Sequence, residues 1–237
     1  MARPVRCVLF DFGGTLFGHD SLATAVMTCA RALGRGLDDA ESRAIASDID
    51  TAAHEPDEVA RGRDLDAAVW WERWGALYGR ADRRVPGLGG ALRDHMHDPL
   101  AWRPYRGALA TMRALRDAGT RVGVVSNTGW DIREALRAHG ALREADAVVL
   151  SCEVGVAKPD PRIFAAALTA LDADPRETLM VGDDAHADGG AAAAGMRVLL
   201  LPATTAGGDN GIGSVRALVE RGPAVPPWRV GGAVGVA

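Results

Sequence analysis

The chain has 237 residues, 48% hydrophobic and 24% charged, with a formal net charge of −4. That length buries a substantial core, the charge leaves no basic footprint for nucleic acid, and no apolar run reaches the roughly eighteen residues of a membrane span. Cys7, Cys29 and Cys152 lack metal-ligand spacing, and the N-terminus runs into an apolar strand with no room for a signal peptide, so a cytoplasmic protein is expected.

Cys7-Val8-Leu9-Phe10 is an apolar run of the kind that forms a parallel strand covered on both faces. It ends in Asp11, and Phe12-Gly13-Gly14-Thr15 follows at once. Paired glycines let the backbone turn tightly and approach a ligand closely. A carboxylate there can attack phosphorus or carbon, or hold a metal; an Asp that simply opens a turn is the plainer alternative.

Residues 18–100 read as a helical insert, with capped amphipathic stretches at 21–33, 38–53 and 65–78. Trp70 and Trp74 share a helix face and are assigned to the insert's own core in preference to an aromatic or sugar pocket. His19 and Asp20 are candidates for a replacement acid but are read in preference as a solvated loop pair, and His95 and His97 as too few ligands for a metal. The insert's arginines (Arg31, Arg35, Arg61, Arg63 and Arg73) read as solvated helix surface. Cys7 reads as a core thiol.

After the insert, strands and helices alternate. A helix at 109–118 precedes a strand at 122–125, which ends in Ser126-Asn127-Thr128, groups able to hydrogen-bond an anion. A helix at 132–139 precedes a strand at 147–150. Lys158-Pro159 follows, then a helix at 163–171 opened by Asp160-Pro161. Of 27 basic residues Lys158 is the single lysine, and a compact ammonium suits an oxyanion as a point charge. A strand at 178–181 runs into Gly182-Asp183-Asp184, with Asp188 close behind. A helix at 189–195, a strand at 197–201 and a helix at 214–220 complete the pattern, and 222–237 is expected to be mobile. The pattern predicts an α/β fold with a doubly wound, mostly parallel sheet. Its strand ends, with their acids, hydroxyls and one ammonium, converge on one crevice.

Those four segments resemble, in order, the four motifs of the haloacid dehalogenase-like hydrolase superfamily: Asp11-Phe12-Gly13-Gly14-Thr15, Ser126-Asn127, Lys158-Pro159, and Gly182-Asp183-Asp184 with Asp188. The resemblance spans residues 5–201. It implies a Rossmann-like core over 1–17 and 101–237 and a smaller helical cap domain over 18–100. It further implies a Mg²⁺-dependent phosphatase acting on a phosphorylated small molecule, without nucleic acid or membrane partners; oligomeric state stays open. In that reading Asp11 is the nucleophile. Asp11, the Gly13 carbonyl and Asp183 hold Mg²⁺, with Asp184 or Asp188 as ligand or support. Ser126 and Lys158 hold the phosphoryl oxygens, with Gly14, Thr15 and Asn127 as further substrate contacts.

Gly13 departs from the family's pattern, which places a second Asp there as general acid and base. A positioned acid is worth roughly 10²–10⁴-fold in rate, so turnover should be slow on alkoxide leaving groups and less affected on aryl or acyl phosphates. Gly13→Asp is expected to raise it. A dehalogenase would attack carbon with Asp11 and needs no metal, and its relatives typically lack the acidic cluster of the fourth motif. A phosphonate hydrolase of this group needs a cap lysine, absent here, and a phosphomutase needs the acid that Gly13 replaces. A phosphate-binding module without turnover is the remaining alternative.

Overall fold

The computed structural model describes residues 3–221. β1 (Cys7–Phe10) is followed by a short strand, β2 (Phe17–Gly18), and then by α1 (Leu22–Ala32), α2 (Asp39–Ala53), α3 (Pro56–Val59), α4 (Ala67–Gly79) and α5 (Leu88–Met96). β3 (Arg103–Pro104) returns the chain to α6 (Ala108–Asp117), β4 (Arg121–Ser126), α7 (Arg133–Ala138), β5 (Ala147–Leu150) and α8 (Ser151–Val154). α9 (Pro161–Ala170), β6 (Thr178–Gly182), β7 (Arg197–Leu200) and α10 (Ser214–Arg221) follow.

The main sheet is five-stranded and parallel, in the order β5-β4-β1-β6-β7. β1 is central because its four side chains are apolar and both of its faces are covered. Val8 and Phe10 pack with Met112 and Leu115 of α6 on one face. Cys7 and Leu9 pack with Ile163 and Phe164 of α9 on the other. The sheet is therefore doubly wound, as its sequence pattern predicts. Burial pushes the Cys7 thiol up to about 11, so it stays a protonated core group.

The chain builds β1, β4 and β5 in one direction, then crosses back to lay β6 and β7 on the other side. β1 thus flanks the switch point where such sheets bind ligands. Phe10 lies opposite both Val124 and Val181, and continuing that register sets Ser126 and Asp183 level with residue 12.

The insert has its own buried cluster, including Val26 of α1, Ile49 of α2, Leu77 of α4 and Leu88 and Leu92 of α5. Its helices start where polar side chains meet free amide groups. Ser21 accepts from the Thr24 amide, and Asp38 and Glu41 form a reciprocal capping box. Asp66 accepts from Ala68 and Val69, which starts α4 two residues later than the sequence pattern suggests. β2 and β3 pair antiparallel, Phe17 opposite Pro104 and Gly18 opposite Arg103, so the outgoing and returning chains are tied together.

One predicted helix differs. Residues 189–195 form only a short 3₁₀ turn at Asp188–Ala192. Successive glycines at 189 and 190 disfavour a longer helix, and Gly195 takes a left-handed conformation at φ 85°. The expectation for 222–237 lies outside the described residues.

Candidate active site

Asp11 is the first residue past β1, buried, its amide donating to the Val181 carbonyl at 2.9 Å. Lys158 reaches it across the sheet end. The ammonium donates to Asp11 Oδ1 at 2.5 Å and to Asp188 Oδ1 at 2.6 Å, and its side chain is only 3% exposed. Burial alone would lower the Lys158 pKa, but the two carboxylates outweigh it and raise it. Burial pushes Asp11 up to about 7; Asp188 and Asp183 push the same way, and Lys158 opposes them.

Asp183 faces Asp11 from the end of β6. Burial raises its pKa, while a hydrogen bond donated by the Thr15 hydroxyl to Oδ1, at 2.9 Å, pulls it down. Gly14 makes this approach possible. It sits at φ 79°, and a Cβ there would lie 2.1 Å from Asp183 Oδ2. Oxygens of Asp11, Asp183 and Asp188 all lie within 4.8 Å of one another.

Several of the expected site residues are held by hydrogen bonds within the protein. Asp184 is exposed, and its Oδ1 accepts from the amides of His186 and Ala187. Those amides hold its pKa below the usual carboxylate range despite some burial. It stands outside the acidic cluster. Asp188 belongs to that cluster, but its Oδ2 accepts from the amides of Asp183 and Asp184 while Oδ1 holds Lys158. It supports the other acids and has no oxygen left uncommitted. Thr15 is fully buried and turned to Asp183, not to the cavity. The Gly14 amide is spent on the Phe17 carbonyl at 2.8 Å. Asn127 pairs with the Lys158 backbone in both directions, at 2.9 and 2.8 Å, which positions the lysine, and it also lines the cavity.

What remains free is informative. The Ser126 hydroxyl and the amides of Phe12 and Gly13 find no partner among the described residues. Ser126, Phe12 and Gly13 also line the cavity that Asp11 opens into. Uncommitted donors beside a carboxylate and an ammonium form a cradle for a tetrahedral oxyanion.

The cavity, about 490 Å³, lies between the strand ends and the insert. Its far wall is aromatic, and here the assignment of Trp70 to the insert's core is corrected: Trp70 packs against the main core, while Trp74 packs against the insert's cluster as expected. Both line the cavity, with ring centroids 5.6 Å apart. A Cβ on Gly129 would lie 2.1 Å from Trp70 Cβ, so the loop after β4 receives α4 only through a glycine. Trp102 and Trp130, 5.8 Å apart, extend the wall; neither stood out in the sequence, although Trp130 follows the second motif after Thr128 and Gly129.

The histidines are likewise committed. His97 contacts the Arg93 carbonyl through Nδ1 at 2.6 Å and accepts from the Trp70 indole through Nε2 at 3.3 Å. It has no lone pair left for a metal. His19 contacts the Asp20 carbonyl through Nδ1 at 2.6 Å but is not simply solvated. It packs edge-on to Trp102 at 4.6 Å and lines the cavity, where burial lowers its pKa, while Asp20 pairs with Arg103. Arg73 and Arg63 pair with the buried Glu58, and Arg63 also stacks on Trp74 at 5.0 Å. These two are not simply solvated surface.

The donor set suits a hard divalent cation. Asp11 and Asp183 each keep an uncommitted carboxylate oxygen, and the Gly13 carbonyl accepts no hydrogen bond among the described residues. All-oxygen ligation of this kind fits Mg²⁺.

A model of the haloacid dehalogenase-like hydrolases matches residues 5–195. Haloacid dehalogenase-like hydrolase domain-containing protein 3 of Bos taurus is 31% identical over 146 residues, 59% of this chain; the match spans 58% of that relative's length. (S)-2-haloacid dehalogenase 1 of Pseudomonas sp. (strain CBS-3) is 30% identical over 216 residues, 84% of this chain and 85% of its own. A phosphoserine phosphatase of Thermus thermophilus is 38% identical over 97 residues, 40% of this chain and 39% of its own.

Proposed function

The chain belongs to the haloacid dehalogenase-like hydrolases, and from that premise we propose that it is a Mg²⁺-dependent phosphatase of small phosphorylated molecules, working through an aspartyl-phosphate on Asp11. One observation carries this reading: three carboxylates, Asp11, Asp183 and Asp188, cluster around one point, and the single ammonium there, Lys158, binds two of them. Buried acids in excess of their counter-charge call for a further cation. When bound, Mg²⁺ would neutralise the acids and the phosphoryl oxygens together.

The residues then divide the work. Lys158, Ser126 and the amides of Phe12 and Gly13 hold the phosphoryl oxygens. Asp11, oriented by Lys158, is the nucleophile, and phosphoryl transfer asks chiefly for positioning and charge neutralisation of this kind. Thr15, Asn127 and Asp188 position the groups that touch substrate or cation. The helical insert acts as a cap that excludes water. The proposed setting is cytoplasmic, with a phosphorylated metabolite as sole partner; no helix of the described residues is long and apolar enough to cross a membrane.

The test is release of phosphate from p-nitrophenyl phosphate. It should require Mg²⁺ and vanish in Asp11→Asn. The long match to a haloacid dehalogenase favours one rival, in which Asp11 attacks carbon. Halide release from 2-chloropropionate that persists in EDTA would establish that rival and overturn the phosphatase.

A further inference from the structure

Four of the chain's six tryptophans, Trp70, Trp74, Trp102 and Trp130, line the one cavity that holds Asp11. The chain as a whole is only 5% aromatic, so this wall is a local concentration. Phe12 joins it, its ring 4.9 Å from that of Trp102. Two of the four indole N–H groups are spent within the protein: Trp102 donates to the Met96 carbonyl at 3.1 Å and Trp70 to His97 at 3.3 Å, while the buried Trp74 Nε1 finds no partner among the described residues. One free indole donor would replace few of the hydrogen bonds that a polyol buried there loses to water. A flat ring system would stack.

The acids tell the same story from the other side. Asp183 and Asp188 are engaged by Thr15 and Lys158. Position 13 carries no side chain, and a Cβ there would meet the Trp102 ring at 3.6 Å. Position 13 itself supplies no proton: a leaving group departing beside Gly13 meets the Trp102 indole, with the His19 ring edge-on behind it at 4.6 Å. A leaving group that departs as a stable anion needs no proton there.

We infer that the organic half of the substrate is an aromatic ring system, and that the chain hydrolyses phosphate esters of aromatic alcohols. This rests on the phosphatase reading. In the first step an Asp11 oxygen bonds to phosphorus and the P–O bond to the aryl group breaks. The aryloxide leaves with the electron pair, unprotonated. In the second, water bonds to phosphorus and the P–O bond to Asp11 breaks. The carboxylate is regenerated, and both water protons leave on inorganic phosphate.

Three probes separate the two claims: 2-naphthyl phosphate, n-propyl phosphate and acetyl phosphate, each with Mg²⁺. Wild-type kcat/KM for 2-naphthyl phosphate should exceed that for n-propyl phosphate by about 10²-fold or more. Trp74→Leu and Trp102→Phe should each reduce kcat/KM for 2-naphthyl phosphate about tenfold more than for acetyl phosphate, mainly through KM. Equal wild-type rates on the naphthyl and propyl esters would overturn the inference even if neither variant folds. So would variants that lower the naphthyl and acetyl rates alike. If none of the three probes is hydrolysed, the phosphatase reading itself fails. If acetyl phosphate is hydrolysed and 2-naphthyl phosphate is not preferred, only the aromatic assignment fails.

Discussion

The ring of Trp102 stands over the place where a side chain at position 13 would go. A Cβ on Gly13 would lie 3.6 Å from one ring carbon and 3.8 Å from another. A methyl group fits at that distance, but a carboxyl group extending past Cβ must displace the indole. Gly13→Asp alone is thus expected to give no gain on n-propyl phosphate. Paired with Trp102→Ala it should raise that rate, because the acid then has room. Steady-state rates of both single variants and the double variant close the cycle; purely additive effects would show that the two positions do not compete for space.

Lys158 lies between two buried carboxylates, so removing its charge should harm folding as well as activity. Lys158→Met leaves Asp11 and Asp188 without their partner, a loss on the order of 3–5 kcal/mol for a buried pair. The deficit should shrink in acid, where Asp11 takes up a proton. Urea melts of the metal-free protein at pH 5 and pH 8 read this directly. A deficit equal at both values would mean that the ammonium's packing, not its charge, matters.

Asp11 sets a pH signature. Burial first, then the neighbouring acids, raise its folded pKa from 3.8 to about 7 in the metal-free protein. The protonated form therefore stabilises the fold. That contribution is complete below the unfolded value and is lost as pH rises through about 7. Divalent-cation binding needs the ionised form, so it must expel a proton at low pH. The rise in Tm caused by Mg²⁺ should be small at pH 5 and larger at pH 8, and Asp11→Asn should remove most of that difference. A Tm increment independent of pH would show that Asp11 is not a ligand.

Much of the fold was legible because strands covered on both faces are short apolar runs, and β1, β4, β5 and β6 sit within two residues of their expected bounds. The acids were legible too, since residues just past parallel strand ends must converge. Their division of labour was not. Whether Thr15 or Asn127 faces substrate depends on where Asp183 and the Lys158 backbone lie, more than thirty residues or more than a hundred away in sequence. The aromatic wall was hidden for the same reason: Trp70 from α4, Trp102 beside β3 and Trp130 after β4 meet only once the insert has folded back.

Thr15 offers the cleanest discrimination between a substrate contact and a support for the cation. Its hydroxyl is fully buried and donates to Asp183 Oδ1 at 2.9 Å. Thr15→Val keeps the shape and deletes the donor. Burial already raises the Asp183 pKa, and losing the hydrogen bond should raise it further. Asp183 would then ionise less readily and hold a cation less well. Outer-sphere partners of this sort are typically worth about 10–100-fold in metal affinity. The Mg²⁺ concentration for half-maximal activity should rise by about that range, while KM for the phosphate ester at saturating Mg²⁺ stays near the wild-type value. A rise in KM with unchanged Mg²⁺ dependence would return Thr15 to the substrate, and with it the hydroxyl that the structure turns toward Asp183.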